Sequence, residues 1–256
     1  MIKKPEAPLS KNAVIEIDDL KKSFGSAHVL SGINLKLFEQ ENLVVLGKSG
    51  SGKSVLIKLI VGLLQADHGS IKVFGEEVIK MKGDELNVLR TKVGFLFQSG
   101  ALYDSMSVRE NMEFPLVRLK RHLSAKERDI KIRKVLESVG LPDSINKMPS
   151  ELSGGMRKRI GLARTIVVDP SIILYDEPTT GLDPETSNEI SKLLLKVQND
   201  YKTSSIIITH DIACARIVAN RLIMLKDGLV FKEGNLDDFE NSNDKNILSY
   251  FQSISI

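Results

Sequence analysis

The chain has little to brace it except its own core. Of 256 residues one is cysteine, Cys214, so no disulfide can close within the chain, and such thiol usage is that of a cytoplasmic protein. Long hydrophobic runs are missing as well. Apolar stretches such as Leu43 to Leu46 and Ile206 to Ile208 fall far short of the roughly 20 residues that a membrane-crossing helix needs, so no segment is expected to span a bilayer. The opening stretch, Met1 to Ser10, has Lys3 and Lys4 but then Pro5, Glu6 and Pro8 where a secretory signal would place an apolar run. Neither sign of charge dominates: 36 Lys and Arg oppose 33 Asp and Glu, a net +3. The two signs are interspersed rather than gathered in a basic stripe, and no nucleic-acid partner is expected. No internal repeat or low-complexity tract stands out. What remains, 42% apolar and 27% charged residues, is soluble globular composition, which excludes a fibrous or disordered chain and is long enough to bury a sizeable core.

Apolar spacing then sets the fold class. Val14 to Ile17 alternates, and Val29, Ile33, Leu35 and Leu37 continue the period of two, so the first forty residues predict a small antiparallel β-layer. From Leu43 the alternation stops, as in a parallel strand buried on both faces. A Gly/Ser-rich turn follows, then a helix with Leu56, Leu59, Ile60 and Leu63 on one stripe. Ile71 to Phe74 and Val93 to Phe97 read as short strands around a polar helix near Asp84 to Arg90. From about Ser105 to Arg164 there is no strand pattern, only helix signals, including the capping box Ser124 to Glu127 and a stripe of Ile132, Val135, Leu136 and Val139 that stops at Gly140. Two more buried strands, Ile172 to Tyr175 and Ile206 to Ile208, each lead into a helix, the first opened by Asp183 and Pro184. Leu222 to Leu225 and Leu229 to Phe231 flank Asp227-Gly228, a hairpin signal. The class is α/β, with a mostly parallel core sheet and a helical insertion.

The chemistry gathers at strand ends. Gly47-Lys48-Ser49-Gly50-Ser51-Gly52-Lys53-Ser54 is a complete G-x-x-x-x-G-K-S between a strand and a helix. Its glycines let successive N–H groups turn inward and the helix adds its positive end, so main chain holds a polyanion. Lys53 is expected to reach the β- and γ-phosphates and Ser54 to ligate Mg²⁺, while Lys48 reads as solvated charge. Ile172 to Glu177 is a hydrophobic strand ending in two acids, where Asp176 can hold Mg²⁺ through water and Glu177 can orient or deprotonate the attacking water. His210, at the end of the strand through Ile208, should emerge on the same edge and touch the γ-phosphate. Gln98, after the strand Val93 to Phe97, could touch Mg²⁺ or water there. His28, His68 and His122 have no such context. Ser153-Gly154-Gly155, in Leu152 to Met156, starts another helix whose face carries Ile160, Ala163 and Val167, and its free N–H groups suit an anion.

Taken together, the loop at Gly47 to Ser54, Gln98, Leu152 to Met156, Asp176 and Glu177, the Gly181-Leu182-Asp183 turn and His210 resemble the ATP-binding-cassette ATPases, over nearly the whole chain from about Val14 to Gly234. The resemblance implies a P-loop NTPase cassette over 14–243, with a helical subdomain at about 105–164 and a tail over 244–256. It implies ATP and Mg²⁺ as ligands, and a homodimer that sandwiches each nucleotide between the loop of one chain and the signature of the other. Ser153 and Gly155 would then face the partner's γ-phosphate, Asp183 would lie along the seam, and Phe24 would stack on adenine. The signature has Met156 where the family usually has glutamine, and Val55 follows Ser54 where threonine is common; neither removes a ligand of phosphate or metal.

The segment Phe97 to Val108, with Met156, is similar to a narrower branch, the ATPases of Mla/Mce-type lipid transport systems. That implies an integral membrane permease docking near Gln98 to Arg118 and peripheral attachment to the cytoplasmic face of the inner membrane. A regulatory or mechanotransmitting cassette that transports nothing is the alternative. A DNA-repair or translation cassette fits less well, because there is no coiled-coil insertion and no basic tract. In the tail, Ile247, Tyr250, Phe251 and Ile254 at helical spacing predict a last helix on its own domain, or one that reaches the other protomer or a small regulatory subunit.

Overall fold

The period-two residues near the start form two antiparallel strands, β1 (Ala13–Phe24) and β2 (Ala27–Phe38). A computed structural model describes residues 12–252 of the chain. Met1 to Ser10 and Ile254, both read above, lie outside the described residues. The strand pair leads into β3 (Asn42–Leu46), α1 (Lys53–Ile60), β4 (His68–Val73), β5 (Glu76–Glu77), α2 (Asp84–Lys92) and β6 (Val93–Leu96). The insertion holds α3 (Val108–Leu119), α4 (Ala125–Ser138) and α5 (Gly154–Ile166). Then come β7 (Ile172–Asp176), α6 (Pro184–Tyr201), β8 (Ser204–Ile208), α7 (Ile212–Val218), β9 (Arg221–Lys226), β10 (Leu229–Gly234), α8 (Leu236–Glu240) and α9 (Lys245–Gln252).

Among the described residues the strands make two sheets. The antiparallel layer has the order β2-β1-β4-β5, so the strand at Ile71 joins the N-terminal layer across β1. The six-stranded sheet has the order β10-β9-β3-β8-β7-β6, parallel except for β10. Its central strands are buried on both faces, and the period of two divides them between two cores. Val44, Leu46, Ile173, Tyr175 and Ile207 face the helices of the insertion and the C-terminal half. Leu43, Val45, Ile172, Leu174, Ile206 and Ile208 face α1 and the antiparallel layer.

Local signals end the elements where the residues require it. Ser124 and Glu127 form the expected capping box, and Ser107 and Glu110 form another at α3. Asp183 caps α6 by accepting from Thr186 N at 2.9 Å. Asp227 and Gly228 both have positive φ, 53° and 74°, as a type I′ hairpin demands. One expectation is corrected. Leu63 is not on the buried stripe of α1, because the helix stops at Gly62 (φ 63°), where Leu63 N bonds Lys58 O at 2.8 Å and Gly62 N bonds Leu59 O at 3.0 Å. That left-handed closure turns Leu63 out to solvent. At the other end of the chain, Ile247 and Phe251 of α9 are buried with Phe239 in the core beneath the parallel sheet.

The two sheets are pinned together by one buried ion pair. Glu41 is fully buried and accepts from Arg221 Nε at 2.7 Å and Nη2 at 2.9 Å, and also from Phe38 N at 2.9 Å. Arg221 of β9 reaches on to Lys36 O of β2 at 2.6 Å and to Glu233 of β10. Removing Glu41 strips the Arg221 guanidinium of its buried partner, leaving it only the more exposed Glu233 for a carboxylate, and leaves the Phe38 N–H without its acceptor. Glu41→Ala should cost about 3–5 kcal/mol, read as a lower urea midpoint, whereas the exposed Glu16, paired with Lys36, should tolerate alanine with little change.

Candidate functional site

Parallel registry places the site. Val45 of β3 and Asp176 of β7 both pair with Ile208 of β8, so these strands finish level and their following loops share one edge. From β3 the chain turns through Gly47 to Gly52 into α1, whose N-terminus has no side-chain cap. Its first amides are therefore free for an anion. The turn needs glycine at 52. There φ is 94°, and a Cβ would lie 2.9 Å from Val29 O and 2.6 Å from Leu30 Cδ2. Gly50, at φ 80°, needs glycine only for its backbone, since nothing lies within 4 Å of the Cβ position.

Lys53 is buried, and its ammonium donates to Gly47 O at 2.7 Å and Lys48 O at 3.1 Å, closing the loop on itself. Burial pushes this ammonium below its ordinary range, while the charges of Glu177 and Asp176 pull it back up. Ser54, one residue on, donates through Oγ to Asp176 Oδ1 at 2.9 Å, tying the phosphate loop to the strand tip. Glu177 sits in the left-handed region at φ 50°, an uncommon backbone for a non-glycine residue and of the kind that collects at functional sites. Its Oε2 lies 2.8 Å from His210 Nδ1 and accepts from Thr180 Oγ1 at 3.1 Å. Glu177 is largely shielded and His210 is mostly exposed, with side-chain exposures of 14% and 60%.

A cleft of about 650 Å³ brings together Phe24, Ser49, Gly50, Gly52, Lys53, Ser54, Val55, Gln98, Glu177 and His210. Phe24 presents an exposed ring at the mouth, with Lys22 Nζ 5.3 Å from its centroid. Lys48 is exposed, as expected of solvated charge, and Gly47 and Ser51 complete the loop around Lys53. Ser153, Gly154, Gly155 and Asp183 do not line this cleft. Ser153 caps α5, accepting from Met156 N at 3.3 Å, and Gly155 packs so tightly on α6 that a Cβ would stand 2.6 Å from Thr186 Cγ2. Asp183 is held below the usual carboxylate range by its hydrogen bonds from Thr186, side chain first and then main chain. Met156 packs against the core, an apolar role in place of a polar one.

The residues fit a nucleotide triphosphate with Mg²⁺. Ser51 Oγ is buried without a hydrogen-bond partner inside the loop, and the Lys53 ammonium is satisfied only by carbonyls. For the metal, Ser54 and Asp176 offer adjacent hard oxygens, and no group of three or more acidic, His or Cys side chains is placed to form a closed cage among the described residues. That suits an ion that keeps waters and phosphate oxygens in its shell.

The family model described as ABC transporter matches residues 30–180, more than half of the chain. The chain belongs to the ABC transporter family. The cassette is 34% identical to a solved dimeric ATP-binding cassette, MJ0796, in a post-hydrolysis state bound to ADP and Pi, with a TM-score of 0.79 over 87% of this chain and 98% of that one. It is 42% identical over 213 residues to the Mycobacterium leprae protein named "Probable ribonucleotide transport ATP-binding protein mkl", covering 82% of this chain and 60% of that protein's length. It is 35% identical over 247 residues to the chloroplastic protein TRIGALACTOSYLDIACYLGLYCEROL 3 of Arabidopsis thaliana, covering 90% of this chain and 71% of that protein.

Sequence reasoning missed three contributors. Thr180 lines the cleft and holds Glu177; its signal is the hydroxyl three residues beyond the acid. Lys158 of α5 is buried and donates to Gln98 O and, at 3.4 Å, to Glu177 O. Its signal was a lysine on the buried stripe with Leu162 and Thr165. Tyr250 of α9 lines a cleft with Lys48, Gly181 and His210, and burial, followed by the charge of Glu177, raises its phenol above the ordinary range. No local pattern marks that placement.

The loop geometry separates two glycines by experiment. Gly52→Ala meets both backbone strain and a clash, so it should lose about 1–3 kcal/mol in thermal denaturation and abolish binding of a fluorescent ATP analogue. Gly50→Ala meets strain alone, about 1–2 kcal/mol, and should retain measurable nucleotide affinity.

Proposed function

We propose that this cassette binds and hydrolyses ATP as the energising subunit of a membrane transporter whose cargo is a phospholipid. The observation that carries the reading is the Ser54–Asp176 hydrogen bond, which joins the phosphate loop to the acidic strand tip while Glu177 faces the same cleft. Loop amides and Lys53 hold the phosphates, and the Phe24 ring offers a stacking face for adenine. Ser54 and Asp176 would hold Mg²⁺, which would supply positive charge against the phosphates. Glu177, steadied by Thr180 and His210, accepts the proton of the attacking water, and Gln98 completes the polar wall.

Ser153 and Gly155 lie outside their own chain's cleft, and so they serve a second copy. In a homodimer the free N–H groups at the start of α5 would face the partner's γ-phosphate, with Asp183 along the seam. ATP then closes the dimer and hydrolysis releases it, and a permease at the cytoplasmic face of the inner membrane feels the closure. The docking surface is the segment from Gln98 to Arg118. It exposes Tyr103 and Val117, with exposed Phe97 and Leu119 flanking it, the Tyr103 and Phe114 rings tilted against each other at 5.1 Å between centroids, and Arg118 over Phe114 at 4.3 Å. No described helix is long and apolar enough to cross a membrane itself. A small regulatory subunit would find α9 beside the phosphate loop.

The cargo rests on the likeness of Phe97 to Val108 and Met156 to the lipid-transport branch, and on one relative that bears a galactolipid's name. The mycobacterial relative's name points to ribonucleotides instead, and the chain spans 60% of that protein's length. Purification with the native membrane complex, followed by mass spectrometry, separates these readings. Co-purification of a polytopic membrane subunit with enriched phospholipid is expected. Enriched ribonucleotide would overturn the cargo, and a membrane partner without cargo would favour the regulatory alternative.

The two chemical roles separate by mutation. Glu177→Gln should bind ATP with unchanged affinity, accumulate a closed dimer on size-exclusion chromatography and hydrolyse about 100-fold or more slowly. Lys53→Ala should instead weaken nucleotide binding by at least about tenfold. Normal turnover by Glu177→Gln would remove Glu177 from the mechanism.

A further inference from the structure

Helix α5 begins at the signature and is fastened, along one ridge, to the parts of its own chain that face the other end of the chemistry. Lys158 is 6% exposed, and its ammonium meets two main-chain carbonyls, that of Gln98 and that of Glu177, the latter at 3.4 Å. One turn further, Gly161 lets the loop after Gln98 lie against the helix: a Cβ there would stand 3.0 Å from both Gly100 Cα and Gly100 O. A turn beyond that, Arg164 donates to Gly100 O at 3.1 Å. Positions 158, 161 and 164 thus carry the Gln98 loop as a unit with α5, and Lys158 alone extends the attachment to Glu177.

The chemistry of that contact is unusual for a lysine. Its partners are carbonyl oxygens, not carboxylates, so the charge is buried with dipoles alone in direct contact. Burial pushes the ammonium below its ordinary range, and the charges of Glu177 and Asp176 pull it back up. A buried cation held this way is sensitive to small displacements, because each carbonyl lost leaves charge without solvation. The distance from the signature is short. Five residues separate Ser153 from Lys158, about 7.5 Å of helix rise, so a shift of the helix N-terminus arrives at Lys158 nearly undiminished.

We propose that Lys158 is a positioning residue that couples the two nucleotide sites of the dimer, carrying the arrival of the partner's γ-phosphate at Ser153 and Gly155 to this chain's own Gln98 and Glu177. The proposal rests on the two-chain reading of the site given above. The partner's phosphate draws the start of α5 toward it, Lys158 moves with the helix, and the carbonyls of Gln98 and Glu177 follow. Both side chains then reach their working positions only when the opposite site is filled, which links the two hydrolysis events without a contact between the two nucleotides.

The test is steady-state ATPase kinetics of the full-length protein with Lys158→Met, Lys158→Gln and Lys158→Arg, alongside melting temperature and direct ATP-binding titration. Lys158→Met should lower kcat by about 10- to 100-fold, with the ATP affinity and KM within about twofold of wild type. The dependence of rate on ATP concentration should lose its sigmoidal form. Lys158→Gln keeps donors for the two carbonyls without charge and should fall between, and Lys158→Arg should restore kcat to within about twofold. Unchanged kcat and unchanged sigmoidicity in Lys158→Met would overturn the proposal. So would a loss that tracks melting temperature across the variants, with KM rising alongside, because that is the mark of a merely structural lysine. Failure of the underlying reading looks different: the wild-type protein would be as inactive as the variants, and the proposal would fall with it.

Discussion

Hydrogen bonding across β8 holds three strand ends level, with Val45 on one side and Asp176 on the other paired to the same Ile208. Everything at the site hangs from this registry. A slip of one residue in β7 would exchange the faces of Ile173, Leu174 and Tyr175 and carry Asp176 away from Ser54. The burial of these strands on both faces makes such a slip costly, because the two cores share them residue by residue. The stability of the sheet and the geometry of the site are therefore one constraint: apolar side chains set the register, and the register aligns the polar ends.

The edge so assembled gathers the polar groups of the cleft. One chain supplies a loop that cradles anions, a serine and an aspartate with adjacent oxygens, and a glutamate steadied by Thr180 and His210. The helix start at Ser153 does not line that cleft, and it packs by Gly155 against α6. Asp183, the cap of α6, lies at that same junction, so the parts that would meet a partner are held by helix ends. The exposed rings of Phe97 and Tyr103 lie on either side of Gln98 in sequence. A membrane partner there would thus sit one short loop from the proposed nucleotide.

Most of the fold was legible because its causes are local. The phosphate loop needs glycine at particular backbone angles, Asp183 and Ser124 carry their own caps, and Asp227-Gly228 supplies both positive φ values of its turn. Uninterrupted apolar runs marked β3, β7 and β8 because both faces are covered. What escaped depends on partners distant in sequence. The strand at Ile71 has no local mark of which sheet it joins; its pairing with Ile17 of β1 decides that. Leu63 continues a helical stripe by spacing, yet Gly62 ends the helix one residue earlier. Lys158 matters through tertiary contacts, to Gln98 O and Glu177 O, that its helical spacing does not name.

The most direct test is the rate of ATP hydrolysis per chain as the protein is diluted, with the fraction of dimer followed in parallel by analytical ultracentrifugation. If each pocket is shared between two copies, activity per chain falls toward zero together with the dimer. A rate per chain that stays constant in a verified monomer contradicts it.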